Sequence, residues 1–114
     1  MRGANLSGAV RIGSMGWATQ YIAALRKGEE ACFRPRGNSM SGKIESGQMC
    51  TVRPIHESSE LAVGSIVLCT VRGNQYLHLI KAIQGKRFQI GNNRGGINGW
   101  IGLKSIYGRC IRIE

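Results

Sequence analysis

The chain has 114 residues, a length that suits one domain, and 16 lysines and arginines against six acids give it a formal net charge of +10. All six acids are glutamates, which excludes an aspartate-containing catalytic triad, an aspartic-protease pair and an aspartate-based calcium loop. Seventeen glycines and only two prolines indicate many tight turns, as in a compact β-rich domain.

The N-terminal region divides into an arm and a helix. Residues 1–13 are glycine-rich, polar and aperiodic, which predicts a flexible or docked arm ahead of a single domain over 14–114. Ser14 is suited to cap a helix over 14–27, and Gly28 is suited to end it. An apolar stripe at helical spacing supports this helix: Trp17, Ala18, Tyr21, Ile22 and Leu25. The stripe favours packing on the core over binding of a partner.

After Gly28 the pattern changes to short runs rich in β-branched and aromatic residues, separated by glycine-containing breaks. The runs are Ala31 to Arg34, Met49 to Arg53, Ser65 to Val71, Gln75 to Ile83, Phe88 to Ile90 and Tyr107 to Ile113. Turns at Gly73-Asn74 and Gly85-Lys86 predict two hairpins. We therefore expect a mainly β fold over 31–114, a strongly bent antiparallel sheet or partly open barrel with one N-terminal α-helix.

The four cysteines are widely spaced and form no C-x-x-C pair, so we expect reduced structural thiols, no metal site and no cofactor. The chain has no apolar stretch of about 18 residues and no apolar core of signal-peptide length at its start. These features predict a cytoplasmic protein without a membrane partner.

Two residues are candidates for nucleophilic catalysis. Ser39 follows Gly37 by two positions, and this glycine permits a sharp bend that leaves the serine hydroxyl and N–H free. Lys81 alternates with aliphatic residues in an apolar run, and burial without a carboxylate partner favours a neutral amine that can accept a proton. The residues alone also allow an ordinary glycine turn, and a lysine at a sheet edge with its amine in water.

Five motifs follow one another along the chain: Gly37-Asn38-Ser39-Met40, Ser46-Gly47-Gln48, Val63-Gly64-Ser65-Ile66-Val67, Leu79-Ile80-Lys81, and Gly91-Asn92-Asn93-Arg94 with Trp100 and Tyr107-Gly108-Arg109. In this order they resemble the serine/lysine peptidase domain of LexA-type repressors, self-cleaving mutagenesis proteins and bacterial signal peptidases. The resemblance covers the chain from about Phe33 to Ile113. Glycine or polar residues stand where that family commonly has a proline and several aspartates.

The resemblance implies a strongly bent sheet in which Ser39 attacks a peptide carbonyl and neutral Lys81 takes its proton. Gly37, Asn38 and Met40 would shape the oxyanion and substrate cleft. It further implies a free-standing serine endopeptidase of the kind that a prophage or mobile element encodes, and a homodimer. The substrate would be another protein or the chain's own N-terminal arm, by autoproteolysis at a bond such as Ser7-Gly8.

The basic composition supports an alternative, a catalytically idle binding module of the same fold. Nucleic acid could bind a surface that includes Arg34, Arg36, Lys43, Arg53 and Arg94. Phe88, Trp100 and Tyr107 would then stack on bases. A protein partner is the other possibility, with the chain acting as an inhibitor or adaptor through the loop Gly91 to Gly96.

Overall fold

The computed structural model describes the backbone of residues 5–9 and all of residues 16–114. In chain order its elements are β1 Asn5–Ala9, α1 Thr19–Arg26, β2 Ala31–Arg34, β3 Cys50–Pro54, β4 Ile66–Val71, β5 Asn74–Gln84, β6 Arg87–Gly91, β7 Ile97–Gly102 and β8 Ile106–Ile113. Single 3₁₀ turns occur at Ser58–Glu60 and Leu103–Ser105.

The strands form one sheet in the order β1-β2-β3-β8-β4-β5-β6-β7. Strands β2 to β8 pair antiparallel throughout, whereas β1 pairs parallel to β2. The sheet curls into a half-barrel, so that β7 returns towards β4; a methyl group on Gly99 would lie 3.2 Å from Val71 Cγ1. A mainly β fold with a bent antiparallel sheet and one helix is therefore confirmed.

The curled sheet buries side chains on both of its faces, in two cores. The first core lies under α1 and contains helix residues, the start of the sheet and the segment after β2, including Tyr21, Leu25, Phe33, Met40, Ile44, Val52, Leu77 and Leu79. The second core lies inside the curl and contains Val67, Cys69, Val71, Ile80, Phe88, Ile90, Ile101 and Ile106. Strands β4 and β5 contribute to both cores, which gives them nearly continuous burial at their centres.

The helix begins five residues after the predicted cap. Ser14 lies outside the described residues, and the N-cap is Ala18, which offers no side-chain oxygen. Gln75 at the start of β5 replaces the cap, because its Oε1 accepts the Ala18 N–H at 2.7 Å and its carbonyl accepts Trp17 Nε1–H at 3.1 Å. The predicted apolar stripe is confirmed, and Gly28, at φ +87°, follows the last turn as expected.

The structure contains two strands, β1 and β7, that the sequence patterns do not predict. Residues Ile97–Gly102 form β7, although glycine and asparagine interrupt their apolar alternation. The predicted flexible arm includes β1, whose backbone pairs with β2 without any apolar pattern; the rest of the arm lies outside the described residues. The first predicted hairpin turn is one residue too late, since Arg72 and Gly73 have φ of +51° and +83° and form the two-residue loop.

The cysteines Cys32, Cys50, Cys69 and Cys110 are all free thiols. Cys50 and Cys69 are fully buried and act as small apolar residues. Within the described residues, no helix has both the length and the apolar character that crossing a bilayer requires.

Candidate active site

Ser39 lies on a tight turn between β2 and β3. Gly37 enters this turn at φ +111°, a conformation that a residue with a side chain rarely adopts, and its N–H donates to Ser46 Oγ at 3.1 Å. The following residues fold into consecutive turns, with the Ser41 N–H donating to the Asn38 carbonyl at 3.1 Å. The bend that the glycine was expected to allow is present, and it leaves Ser39 exposed.

Two apolar side chains fix the turn to the first core. Met40 is 5% exposed and Ile44 is 3% exposed, and both pack beneath the helix. Met40 was predicted to shape the cleft. Its side chain faces the core, so only its backbone is available to a substrate.

The loop between β6 and β7 fixes the turn from the other side. The Asn93 N–H donates to the Ser39 carbonyl at 2.8 Å, and Asn93 Nδ2 donates to the Ser41 carbonyl at 2.7 Å. Asn92 stabilises this loop, because its Oδ1 accepts the N–H groups of Arg94 and Gly96, each at 2.8 Å. The predicted recognition loop thus has a structural role, which is to hold the turn that carries Ser39.

The Ser39 hydroxyl contacts a buried histidine. His78, on β5, is 7% exposed, and its Nε2 lies 3.2 Å from Ser39 Oγ. Its other ring nitrogen, Nδ1, lies 2.7 Å from Asn98 Oδ1 on β7. A hydroxyl, an imidazole and an amide oxygen therefore form one hydrogen-bonded chain.

The chemistry of Asn98 fixes which nitrogen of His78 carries the proton. An amide oxygen can only accept, so His78 Nδ1 must donate to Asn98 Oδ1. The neutral ring then has a free lone pair at Nε2, directed at the Ser39 hydroxyl, which donates to it. This tautomer is the one that a general base for Ser39 requires.

Burial keeps His78 neutral. Desolvation lowers the pKa of the imidazole below its usual 6.5, and the hydrogen bond to Asn98 opposes part of that shift. Tyr76 stacks on the ring, with centroids 4.8 Å apart and planes at 27°. The ring is thus fixed on one face and at both nitrogens, and it is uncharged at neutral pH.

A β-bulge places Asn98 in this chain. Ile90 pairs with Gly99 and the next residue, Gly91, pairs with Ile97, so Asn98 has no partner of its own in the ladder. Such an extra residue bends a strand and redirects a side chain. The unpaired position of Asn98 explains how an edge strand supplies a group to a buried histidine.

Lys81 also lies at a bulge, since Ile80 pairs with Ile90 while Ala82 pairs with Gln89. Lys81 is half-buried, and its Nζ donates to the Asn92 carbonyl at 3.1 Å. Within residues 16–114 no hydrogen bond joins Lys81 to Ser39. The predicted general-base role of Lys81 stays a prediction, and the contact observed here ties Lys81 to the loop that holds Ser39.

The lysine stem needs the glycine beside it. A methyl group on Gly91 would lie 2.9 Å from Lys81 Cγ and would also overlap the Gly96 carbonyl oxygen. Only glycine fits this close approach. The predicted alternation of β5 is also incomplete, since His78 and Ile80, on the face opposite to Leu77 and Leu79, are buried as well.

The backbone of the turn offers donors for an oxyanion. The Gly37 N–H is already bonded to Ser46, which removes it from that predicted role. The N–H groups of Ser39 and Met40 have no acceptor among the described residues. They are the donors adjacent to the Ser39 hydroxyl, and Asn38 contributes a carbonyl that closes the turn.

The predicted basic residues fall into three groups. Arg36, Lys43 and Arg94 are exposed on the two segments that meet at Ser39. Arg34 Nη1 donates to the Gly47 carbonyl at 2.9 Å. Arg53 lies on β3, opposite Arg109 of β8.

The predicted stacking residues do not form a set for bases. Phe88 is 1% exposed in the second core, so its predicted role in stacking on bases is wrong. The Tyr107 ring lies under the Arg26 guanidinium, 5.1 Å from its centroid, and its hydroxyl donates to Thr70 at 2.8 Å. Trp100 is 38% exposed.

Sequence patterns overlooked His78 and Asn98, and they included Asn93 only as a member of the motif Gly91-Asn92-Asn93-Arg94, without its contact to the Ser39 turn. A usable signal exists for His78, a polar ring inside an apolar run three residues before Lys81. Asn98 has none, because its contact depends on a bulge. Comparison with models of known protein families and with curated proteins finds no match to this chain.

Proposed function

We propose that the protein is a serine peptidase-type hydrolase in which Ser39 is the nucleophile, His78 the general base and Asn98 the group that orients the base. The observation that carries this proposal is the 3.2 Å contact between Ser39 Oγ and His78 Nε2. It joins an exposed hydroxyl on a tight turn to a neutral, buried and oriented imidazole, which is the arrangement of an activated nucleophile. A cytoplasmic location fits the four free thiols.

In the reaction, Ser39 Oγ attacks the carbonyl carbon of a peptide bond while its proton passes to His78 Nε2. The N–H groups of Ser39 and Met40 stabilise the resulting oxyanion. The imidazolium then protonates the leaving amine and an acyl ester on Ser39 remains. Water, deprotonated by the same ring, hydrolyses that ester and restores the hydroxyl.

Asn98 gives this site a limited form of the usual triad. It fixes the Nδ1–H tautomer, but as a neutral amide it stabilises an imidazolium less than a carboxylate does. We expect slow turnover, which suits a peptidase that acts once on itself or on a single partner.

The test is acylation of Ser39. A small fluorophosphonate should add one phosphonyl group to the folded protein, seen as one mass increment and located by peptide mapping. Ser39→Ala removes the hydroxyl and should remain unlabelled, while Ser41→Ala, two residues away in the same turn, should label as the parent does. The peptidase proposal is wrong if the folded parent protein stays unlabelled after prolonged incubation.

A further inference from the structure

We infer that the site selects peptides with acidic residues close to the bond that is cut, through Arg36, Lys43 and Arg94. This inference rests on the proposed peptidase function, since it concerns the substrate of the same Ser39. Its basis is the charge of the two segments that hold the nucleophile.

The three cations lie on the two segments that meet at Ser39. Arg36 precedes Ser39 by three residues and Lys43 follows it by four. Arg94 comes directly after Asn93, whose N–H lies 2.8 Å from the Ser39 carbonyl oxygen. All three side chains are exposed on the two segments that hold Ser39, and we call these three residues the rim of the site.

These cations have no protein partner within residues 16–114. Arg34 and Arg87, in contrast, donate to backbone carbonyls, Arg87 Nη2 to Trp100 at 3.3 Å. The turn also contains one acid, Glu45, whose Oε2 accepts the Gly42 N–H at 2.8 Å and which keeps its charge. Three cations against this one acid leave the rim with a net positive charge.

Charge complementarity identifies the occupant. The whole chain carries a formal net charge of +10, which favours an anionic ligand. An extended peptide advances about 3.3 Å per residue, so carboxylates two or three positions from the scissile bond come within reach of arginine and lysine side chains. Glutamate or aspartate at those positions would be attracted, and lysine or arginine would be repelled.

A nucleic acid strand is the competing ligand for a basic surface, and the structure favours the peptide. Single-strand binding needs exposed aromatic platforms next to the charge. Phe88 is buried and the Tyr107 ring is covered by Arg26, which leaves Trp100 as the exposed member of the three predicted. The cations also surround a nucleophile, which a simple strand-binding groove does not require.

The experiment compares three peptidyl phosphonate esters of equal length that differ only in flanking residues, glutamate, glutamine or lysine. At low salt the glutamate probe should label Ser39 about tenfold faster than the glutamine probe, as two or three solvent-screened ion pairs would produce, and the lysine probe slowest. Raising the salt concentration should shrink the difference. Arg36→Gln, Lys43→Gln and Arg94→Gln together should bring the glutamate-to-glutamine ratio close to one.

A matched variant controls for total charge. Lys27→Gln, Lys86→Gln and Lys104→Gln remove the same charge from exposed sites on other segments and should leave the ratio unchanged. Equal labelling by all three probes, with fluorophosphonate still reacting at Ser39, would overturn acid selection and leave the peptidase proposal standing. Absence of fluorophosphonate labelling would end both proposals. Tight, salt-sensitive binding of a single-stranded oligonucleotide that the first triple variant abolishes, with no preference among the probes, would assign the rim to nucleic acid instead.

Discussion

The helix-covered core and the Ser39 site are held together by different forces. Under the helix, Tyr21 stacks on Phe33 with centroids 4.5 Å apart, and Trp17 meets the same ring edge-on at 5.5 Å. At the site, Asn93 and Asn98 fix the serine turn and the histidine by hydrogen bonds. Apolar burial is tolerant of small displacements, whereas a hydrogen bond weakens steeply with distance and angle. We therefore expect substitutions in the core to affect stability first, and substitutions at the site to affect reactivity first.

The largest effect should come from removing the base. His78→Ala leaves Ser39 without an acceptor for its proton and should slow fluorophosphonate labelling by about 10²- to 10⁴-fold. The rate is measured by intact mass over time at neutral pH, on protein whose fold is verified by circular dichroism.

Lys81→Ala is the matched comparison for that variant. If His78 is the base, Lys81→Ala should slow labelling much less, through loosening of the loop that holds Ser39. The opposite order, with His78→Ala nearly as fast as the parent and Lys81→Ala inert, would assign proton transfer to the lysine.

A substitution in the helix-covered core should have the opposite result, with stability lowered and the labelling rate unchanged. Phe33→Ala removes a fully buried ring from the first core and should lower the free energy of unfolding by about 3–5 kcal/mol. Labelling of the fraction that remains folded should keep the parent rate. Urea denaturation measures the first quantity, and Val63→Ala, at a side chain 62% exposed, is the control that should change it little. Loss of reactivity in folded Phe33→Ala would show that the two regions are coupled.

The same division explains what the sequence predicts well. Strands β2 to β6 and β8 follow from runs of β-branched and aromatic residues, because each must bury side chains in one of the two cores. The helix stripe follows for the same reason. The sequence patterns miss β7 because asparagine and glycine interrupt its apolar residues, which leaves its local preference for a strand weak, and because a bulge shifts its register with β6.

The site is only half predictable. Ser39 can be predicted from Gly37 and the turn that it starts, because these features are local in the sequence. His78 and Asn98 are separated from Ser39 by 39 and 59 residues along the chain, and what unites them is the curl of the sheet and one extra residue in β7. Neither feature leaves a periodic pattern in the sequence. The apolar alternation of β5 therefore indicates Lys81 as the candidate base and gives no reason to choose His78.

A smaller effect on the labelling rate is expected from a residue that holds the Ser39 turn in place without contacting the Ser39 hydroxyl. Asn93→Ala keeps the backbone N–H bond to the Ser39 carbonyl but removes the Nδ2 bond to the Ser41 carbonyl. It should slow labelling by up to about tenfold, as a slight misplacement of a nucleophile does. Because Met40 and Ile44 still anchor the turn, the unfolding midpoint in urea should move little. Asn74→Ala, at an exposed position that begins β5, is the control. A labelling rate equal to that of the parent would mean that the core contacts suffice to hold the turn.

The pH at which Ser39 labelling is lost tests whether His78 is the group that accepts the serine proton. Only neutral His78 can accept the Ser39 proton, and burial puts its pKa below 6.5, so labelling should fall with a midpoint below pH 6.5. The pKa of His78 is lower in the folded protein than in the unfolded chain. Between these two pKa values the unfolded chain therefore binds more protons than the folded protein. The stability contribution of neutral His78 is therefore complete above pH 6.5 and is lost as the pH falls through the folded pKa.

Asn98 allows that midpoint to be moved in both directions. Asn98→Ala removes the hydrogen bond that partly raises the pKa of His78, so the midpoint should shift to lower pH. Asn98→Asp places a carboxylate at Nδ1, which favours the imidazolium and should shift the midpoint to higher pH. A residue that only supports the fold would not produce opposite shifts from two substitutions. A midpoint well above pH 7 that neither variant moves would contradict this assignment. Proton transfer would then belong to Lys81, which contacts the Asn92 carbonyl, and not to His78.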